Sequence, residues 1–243
     1  MINTYNESQL HKTLKLFFAA RTHGSTEVPY KNFILDIVAK DGSVIEIQSA
    51  NLSALKEKVR LLLADKKRVT IVTPLVIEKR IETYSTENPE LWSDKTLLSS
   101  RKSPKKESVY SKLREMTGLV EFMTASDFEA IFVDAKVIEQ RVRAAEKTDT
   151  PNKARRFYKD WVKVGKRLAE FESETSFCGK NAWLGLLPES LRDGEFSSKD
   201  VKKELKRGDA KYAGVLLWVL ARAGMIECVR KDGNLKVYCV RKR

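Results

Sequence analysis

The segment ILDIVAKDGSVIEIQSANLSALKEKVRLLL, residues 34–63, contains two short apolar runs with strand-like alternation and then a run with helical spacing. The tripeptide KDG at residues 40–42 separates the first two runs, which is the sequence signal of a β-hairpin. Polar side chains interrupt these apolar runs at Asp36, Glu46 and Gln48. Because an unpaired carboxylate is costly inside a buried strand, these positions require a partner or a function.

The flanking sequence predicts further elements of a mixed α/β domain. Apolar residues recur at helical spacing in residues 5–20 and again in residues 53–65, so a helix is predicted on each side of the hairpin. Residues 68–75 and 78–85 are predicted as two separate strands, and residues 21–30 as a loop. The predicted order is helix, two or three strands, helix, strand, strand.

The remainder of the chain predicts a long basic loop followed by a smaller helical domain. Residues 85–107 are polar and basic, and residues 128–142 fit either a strand or a helix. An amphipathic helix is predicted from Pro151 onward, because apolar side chains recur at steps of three and four in residues 157–171. Residues 181–240 predict three helices and a terminal hairpin, a winged-helix pattern. The predicted domains are residues 1–148 and 149–243.

Composition and charge restrict the function further. The chain has 243 residues, of which 42% are hydrophobic and 33% charged, so it is too apolar for disorder, and it contains no long apolar run of membrane-spanning type. Residues 201–243 contain 12 basic and 4 acidic residues, which gives +8 of the net +13. Such an excess suits phosphate neutralisation, although a solvated basic surface or an acidic protein partner would have the same composition.

Targeting and cysteine patterns favour a cytoplasmic protein without structural zinc or disulfides. The N-terminal residues are polar and acidic before their apolar positions, unlike a secretory signal. The three cysteines form no CxxC motif, and both histidines lie far from them in the sequence.

The hairpin geometry decides whether the polar residues can act together. Glu46 and Gln48 differ by two positions and share one face of their strand. With a two-residue loop Asp36 would face away from them, whereas a three-residue loop or a bulge would bring it to their side. Two converging carboxylates and a backbone carbonyl are the hard oxygen ligands that Mg²⁺ or Mn²⁺ prefers.

These residues resemble the active-site motif of the PD-(D/E)XK, or restriction endonuclease-like, nuclease superfamily. Leu35-Asp36 stands in the place of Pro-Asp, and Glu46-Ile47-Gln48 stands in the place of the acidic-x-Lys motif. The resemblance covers residues 1–80 and implies an αβββαβ core with metal-dependent nuclease activity. Glu7 is similar to an additional acidic residue that archaeal Holliday-junction resolvases place beside the metal. Gln48 departs from the motif, since the superfamily usually has lysine there.

Each of these residues also has a structural interpretation. Asp36 and Glu46 fit buried partners of nearby lysine or arginine residues. Glu7 suits the first turn of a helix, where a negative charge is favourable, and Gln48 suits an amide bonded to the backbone. Lys56, just inside the second helix, fits either a solvated lysine or a replacement for the missing active-site charge.

The sequence therefore predicts a Mg²⁺- or Mn²⁺-dependent DNA endonuclease, with duplex or branched DNA as its partner and a homodimer as a possible state. Candidate phosphate contacts lie in the basic loop and in the C-terminal segment. They are Arg101, Lys102, Lys105, Lys106, Lys202, Lys203, Arg207, Lys211, Arg230, Lys231, Lys236, Arg241 and Lys242. Two alternatives remain: a non-catalytic DNA-binding protein with a degenerate nuclease core, and a C-terminal domain that binds protein.

Overall fold

The computed structural model describes residues 9–85, 95–104, 106–148 and 159–241. The first six regular elements follow the order αβββαβ. They are α1 (Gln9–Thr22), β1 (Ser25–Tyr30), β2 (Phe33–Val38), β3 (Val44–Ile47), α2 (Lys56–Ala64) and β4 (Val69–Ser85), with a 3-10 turn at Leu52–Leu55 before α2. The two helices and the β2–β3 hairpin predicted from the sequence are confirmed.

Two predictions for this region are wrong. Residues 21–30, predicted as a loop, contain β1, which pairs with β2 at the edge of the sheet. Pro29 suggests a turn in sequence, but an edge strand tolerates proline because the missing N–H need not face a partner strand. Residues 68–85 do not form two strands, since β4 is one continuous strand of 17 residues.

Strands β1 to β7 form one mixed sheet. Six of them follow the order β1-β2-β3-β4-β6-β7, and β5 pairs separately with β4. The later strands are β5 (Thr96–Ser103), β6 (Phe128–Thr148) and β7 (Lys159–Cys178). The β1–β2, β2–β3 and β4–β5 pairs are antiparallel, and β3–β4 is parallel. Helix α2 lies in the connection between β3 and β4, as a parallel pair requires a long crossover.

Three predictions about the middle of the chain are decided by strand pairing. Residues 128–142, which fitted a strand or a helix, belong to β6, and the predicted basic loop contains β5. The amphipathic helix predicted from residue 151 to residue 171 is wrong in its described part, because residues 159–171 lie in β7. Residues 151–158 lie outside the described residues. Neighbouring side chains of β6 and β7 form hydrogen bonds and ion pairs, for example Ser173 Oγ with Asp134 Oδ2 at 2.8 Å. Pairing along a partner strand outweighs a local helical period.

The C-terminal elements form a second, three-stranded sheet packed with short helices. They are α4 (Gly179–Leu184), β8 (Phe196–Ser197), α5 (Ser198–Glu204), α6 (Ala213–Arg222), β9 (Ile226–Asp232) and β10 (Leu235–Val240), preceded by α3 (Val109–Lys112) earlier in the chain. The strand order is β8-β10-β9. The predicted terminal hairpin is present, and β8 is an additional strand that the sequence did not indicate.

The chain divides into two compact units. The strand unit is drawn from residues 1–14, 75–106 and 134–173, and the core unit from residues 15–74, 107–133 and 174–243. The predicted boundary at residues 148/149 falls within the strand unit. In the core unit, Trp183 stacks on Phe177 with ring centroids 4.7 Å apart, which joins α4 to the end of β7. Among the described residues, no helix is long and apolar enough to span a membrane.

Candidate functional site

The β2–β3 hairpin closes through a three-residue loop at residues 40–42. Ala39 N donates a hydrogen bond to Ser43 O at 2.9 Å, so these two residues close the loop. Gly42 has a φ of 81°, the left-handed conformation that this loop type places on glycine. The predicted condition for bringing the carboxylates together is therefore met.

The register places Asp36 directly opposite Glu46, because Ile37 pairs with Ile45 in the antiparallel ladder. Asp36 N donates to Glu46 Oε1 at 3.4 Å, and Ile47 N donates to Asp36 Oδ2 at 2.8 Å. The two carboxylates thus share one face of adjacent strands, as the sequence predicted. Each carboxylate also contacts the backbone of the other strand.

A lysine from α2 reaches this pair. Lys58 Nζ lies 2.6 Å from Glu46 Oε2 and donates to Ile34 O at 2.9 Å. Glu46 is only 2% exposed, so the ammonium group supplies the opposite charge that a buried carboxylate needs. Lys58 is itself largely buried and has the ring of Phe33 nearby.

A second lysine comes from α1. Lys15 is 6% exposed, forms an ion pair with Glu27, and lies 4.0 Å from Asp36 Oδ1. We call Asp36, Glu46, Lys15 and Lys58 the carboxylate cluster. Helix α1 before the hairpin and helix α2 after it each contribute one lysine. The carboxylate cluster therefore contains two acids and two lysines, and Glu27 is a further acid that pairs with Lys15.

Burial shifts the acidity of Glu46. Removal from water raises the pKa of its carboxyl to about 7, and the negative charge of Asp36 acts in the same direction. The neighbouring Lys58 ammonium lowers the pKa but only partly offsets the burial. Near neutral pH the Glu46 carboxyl therefore changes protonation easily, and a bound cation would favour its ionised form.

Gln48 and Thr73 lie on the same side of the sheet as Glu46. Gln48 Nε2 donates to Ala50 O at 2.5 Å, which fits the predicted structural amide. Glu46 pairs with Ile71 in the parallel ladder, so strand alternation places Thr73 on this face. Thr73 is 1% exposed, and its hydroxyl has no hydrogen-bond partner among the described residues.

The segment after β3 is held by residues from the middle of the chain. Lys112 is 4% exposed and contacts Ser49 O at 3.4 Å and Glu115 Oε1 at 3.3 Å. Asn51 N donates to Glu115 Oε2 at 2.8 Å. These contacts fix the chain immediately after Gln48 and so restrict the position of the amide.

Two predicted site residues are placed elsewhere. Lys56 does not reach the carboxylates, because its Nζ pairs with Glu121 Oε1 at 3.4 Å and its side chain is 40% exposed. The positive charge expected from α2 comes instead from Lys58, two residues later on a different side of the helix. Glu7 lies outside the residues that the structure describes.

The sequence contained a signal for Lys58. It follows Leu55 by three residues and precedes Leu62 by four, so it belongs to the same helical stripe as two buried leucines. A lysine within an apolar stripe requires a buried acidic partner. Lys15 and Thr73 had no comparable signal, because their roles depend on which element packs beside them.

The possible metal ligands form a minimal set. Within the described ranges, no group of three or more His, Cys, Asp and Glu side chains is arranged to hold a metal. Mg²⁺ is commonly held by one or two carboxylates, with water and substrate phosphate completing the octahedron. Asp36 and Glu46, with the unsatisfied hydroxyl of Thr73 on the same face, fit that mode of binding.

The predicted phosphate contacts are mostly on the surface. Arg101 and Lys102 are exposed on β5, and Lys106 is exposed after it. The exposed C-terminal set is Lys202, Lys203, Arg207, Lys211, Lys231 and Lys236. Arg230 pairs with Glu195 at 3.0 Å, and Arg241 pairs with Glu227 at 3.5 Å. Lys105 and Lys242 lie outside the described residues.

Comparison with known proteins shows the family of this chain. Residues 8–178, from the start of α1 to the end of β7, match the family described as Domain of unknown function (DUF8091). The chain belongs to the DUF8091 family. An uncharacterized protein of Treponema pallidum (strain Nichols) is 29% identical over 244 residues, which cover 98% of this chain and 86% of that protein. No solved structure matches the chain.

The DUF8091 match includes the whole carboxylate cluster and ends before α4. The short helices and second sheet at the C-terminus therefore lie beyond the matched family region. The alignment with the Treponema protein extends over nearly the whole chain, so it includes both parts.

Proposed function

We propose that this DUF8091 protein is a Mg²⁺-dependent DNA endonuclease with a restriction endonuclease-like core. The observation that carries the proposal is the pairing of Asp36 with Glu46, with the Lys58 ammonium 2.6 Å from Glu46. Two acids and a lysine on one face of a sheet are the groups needed to bind a divalent cation and a scissile phosphate.

The framework supports this proposal. The order αβββαβ, with an antiparallel β2–β3 hairpin and a parallel β3–β4 pair, is the arrangement that the resemblance implied. At the C-terminus, the order helix, strand, helix, helix and hairpin, with β8 paired to β10, is compatible with the winged helix that we propose. A winged helix with exposed lysines on its hairpin suits contacts to DNA phosphates.

Three residues of the carboxylate cluster, Asp36, Glu46 and Lys58, have definite roles in this proposal. A bound Mg²⁺ would supply a Lewis acid that lowers the pKa of an attacking water. Asp36 and Glu46 would hold the cation, which requires that the Glu46 carboxyl be ionised. Lys58 stabilises negative charge on the phosphate, the task that Gln48 cannot perform.

The test is cleavage of supercoiled, linear, single-stranded and branched DNA with Mg²⁺, Mn²⁺ or EDTA. We expect metal-dependent cutting that Asp36→Asn and Glu46→Gln each reduce by at least about a hundredfold, because a metal ligand contributes on that scale or more. Glu57→Gln is the matched control, since Glu57 is an exposed acid of α2. The Asp36→Asn and Glu46→Gln proteins are expected to retain DNA binding. Undiminished cutting by either one would exclude this site.

The second candidate is a non-catalytic DNA-binding protein with a degenerate nuclease core. One observation favours it: both carboxylates already have lysine partners, and Gln48 is bonded to the backbone. This candidate predicts no cleavage with any metal, and DNA affinity that does not depend on Mg²⁺. The same assay therefore separates the two candidates.

A further inference from the structure

The strand unit contains a pocket of about 430 Å³ that the carboxylate cluster does not use. Its walls come from four neighbouring strands in the order β5-β4-β6-β7. The residues that matter for its chemistry are Leu98, Arg101, Arg141, Arg143, Asp160 and Trp161. Three guanidinium groups and an indole against one carboxylate favour a ligand that is both anionic and aromatic.

A β-bulge shapes one wall of this pocket. Thr83 on β4 pairs with Ser99, but the next residue, Tyr84, pairs with Leu97, so Leu98 is the additional residue on β5. Bulges increase local twist and redirect side chains. Leu98 is 47% exposed and lines the pocket, which gives this wall an apolar surface beside the charged groups.

Arg141 and Trp161 form the opposite wall as a fixed stack. The guanidinium carbon of Arg141 lies 3.5 Å from the centre of the Trp161 ring. Arg141 Nε also donates to Glu139 Oε1 at 2.7 Å, and Lys79 Nζ lies 3.1 Å from Glu139 Oε2. The charge of Arg141 is therefore paired with Glu139, and this pairing holds the guanidinium group flat against the Trp161 ring.

Arg101 and Arg143 supply the uncommitted charge. Both are exposed, both line the pocket, and neither forms an ion pair with another described residue. A guanidinium fork matches phosphate oxygens in a bidentate geometry. Asp160 also lines the pocket and opposes anion binding. Because three arginines face this one carboxylate, the net charge of the pocket lining is positive.

We propose that this pocket binds an unpaired nucleotide of single-stranded DNA. The base packs against the Arg141–Trp161 stack and Leu98, and phosphates contact Arg101 and Arg143. The volume falls in the range of small-ligand pockets, roughly 300–1,000 Å³, and bases of a duplex are already stacked on their neighbours. This ligand class rests on the proposed function and adds that the DNA has an unpaired segment.

The test measures binding of full-length protein to two labelled strands in EDTA, where metal-dependent cleavage does not occur. One strand is oligo(dT), and the other is an abasic strand of the same length with the same phosphates but no bases. Since stacking contributes roughly a tenfold effect per base, wild type should bind oligo(dT) about ten times more tightly. Trp161→Ala should remove that preference without changing affinity for the abasic strand, and Trp161→Phe should keep much of it.

The charged residues have separate expected effects. Arg101→Gln with Arg143→Gln should weaken binding to both strands and lower the log-log salt slope by about 1.4, because each single-strand phosphate contact contributes about 0.7. Lys40→Gln with Lys66→Gln is the matched control: it removes the same number of charges from exposed positions that do not line the pocket. Asp160→Asn should tighten binding to both strands.

Equal affinity of wild type for the two strands would overturn the inference. So would a Trp161→Ala protein that binds both strands less tightly by the same factor while keeping its thermal unfolding midpoint, since the contribution of Trp161 would then not depend on the base. Base-dependent binding in a protein that cleaves no DNA would remove the nuclease proposal and leave this pocket in place. Cleavage without base-dependent binding would remove the pocket inference and leave the nuclease proposal in place.

Discussion

At the scale of single residues, the ion pair between Lys58 and Glu46 determines the properties of the candidate site. A buried pair contributes little net stability, but removing one partner leaves an uncompensated charge inside the protein. The pair therefore links folding to the chemistry proposed for the site. Its lysine was misassigned in the sequence prediction, which named Lys56.

Lys58→Met should lower the free energy of unfolding by about 3 kcal/mol above pH 7, where Glu46 would otherwise be ionised and buried. Lys56→Met should change it by less than about 0.5 kcal/mol, as expected at an exposed surface pair. Urea denaturation of the two variants provides the comparison. Equal effects would mean that Lys58 is not the partner of Glu46 in solution.

The raised pKa of Glu46 predicts how stability depends on pH in metal-free protein. In the folded state the carboxyl holds its proton up to about pH 7, whereas its ordinary pKa is 4.5. Protonation therefore contributes stability that is fully present below pH 4.5 and is lost as pH rises through 7. The wild-type unfolding free energy should fall across this window relative to Glu46→Gln by about 3 kcal/mol.

This prediction is measured by urea denaturation in EDTA at intervals from pH 4 to 8. Glu57→Gln serves as the control because Glu57 is exposed, so it should follow wild type. Addition of Mg²⁺ should stabilise wild type most at the alkaline end, since the cation requires ionised Glu46. A constant difference between Glu46→Gln and wild type at every pH would contradict the raised pKa.

At the scale of elements, the β2–β3 hairpin places Asp36 beside Glu46 through the length of its loop. A two-residue loop would have put Asp36 opposite Ile47 and turned its side chain to the other face. The loop depends on Gly42, whose φ of 81° is unfavourable for a residue with a Cβ.

Gly42→Ala should therefore lower the free energy of unfolding by about 1 kcal/mol through backbone strain alone, because no atom lies within 4 Å of the added Cβ. Gly208→Ala is the control: its Cβ also meets no atom within 4 Å, and its φ is not in the left-handed region. The control should be neutral or slightly stabilising. Thermal or urea unfolding checks both, and unchanged stability of Gly42→Ala would argue against the three-residue loop.

At the scale of the whole molecule, positive charge is concentrated in residues 201–243, which carry +8 of the net +13. Lys231 and Lys236 are cross-strand neighbours on the β9–β10 hairpin, and both are exposed. Two like charges held side by side favour a phosphate between them. The C-terminal sheet is therefore the part of the molecule expected to determine the salt dependence of duplex binding.

Replacing Lys231 and Lys236 together with Gln should lower the log-log salt slope for duplex DNA by about 1.8, since each contact contributes about 0.9. The matched control is Lys40→Gln with Lys66→Gln, which removes the same charge from exposed positions near the first sheet. Binding isotherms at several salt concentrations and on unrelated sequences measure the slope. If both double mutants lower it equally, the hairpin makes no particular contact and only net charge matters.

Short-range patterns in the chain were sufficient for α1, the β2–β3 hairpin and α2, and for the condition under which Asp36 and Glu46 share a face, but they missed β1. Helical spacing, strand alternation and the KDG loop at residues 40–42 act over a few residues, so they can be identified without knowledge of the fold. The conditional prediction about loop length followed from the same local geometry.

Tertiary structure decided the features that depend on distant partners. Residues 157–171 have a helical period, but pairing with β6 makes residues 159–171 part of β7. Lys58 became the partner of Glu46 because α2 packs with that side towards the hairpin; the helical stripe distinguishes Lys58 from Lys56, but it does not specify which acid Lys58 meets. Hydrogen bonds between strands and ion pairs in buried positions form only once remote segments meet, so local propensity does not determine them.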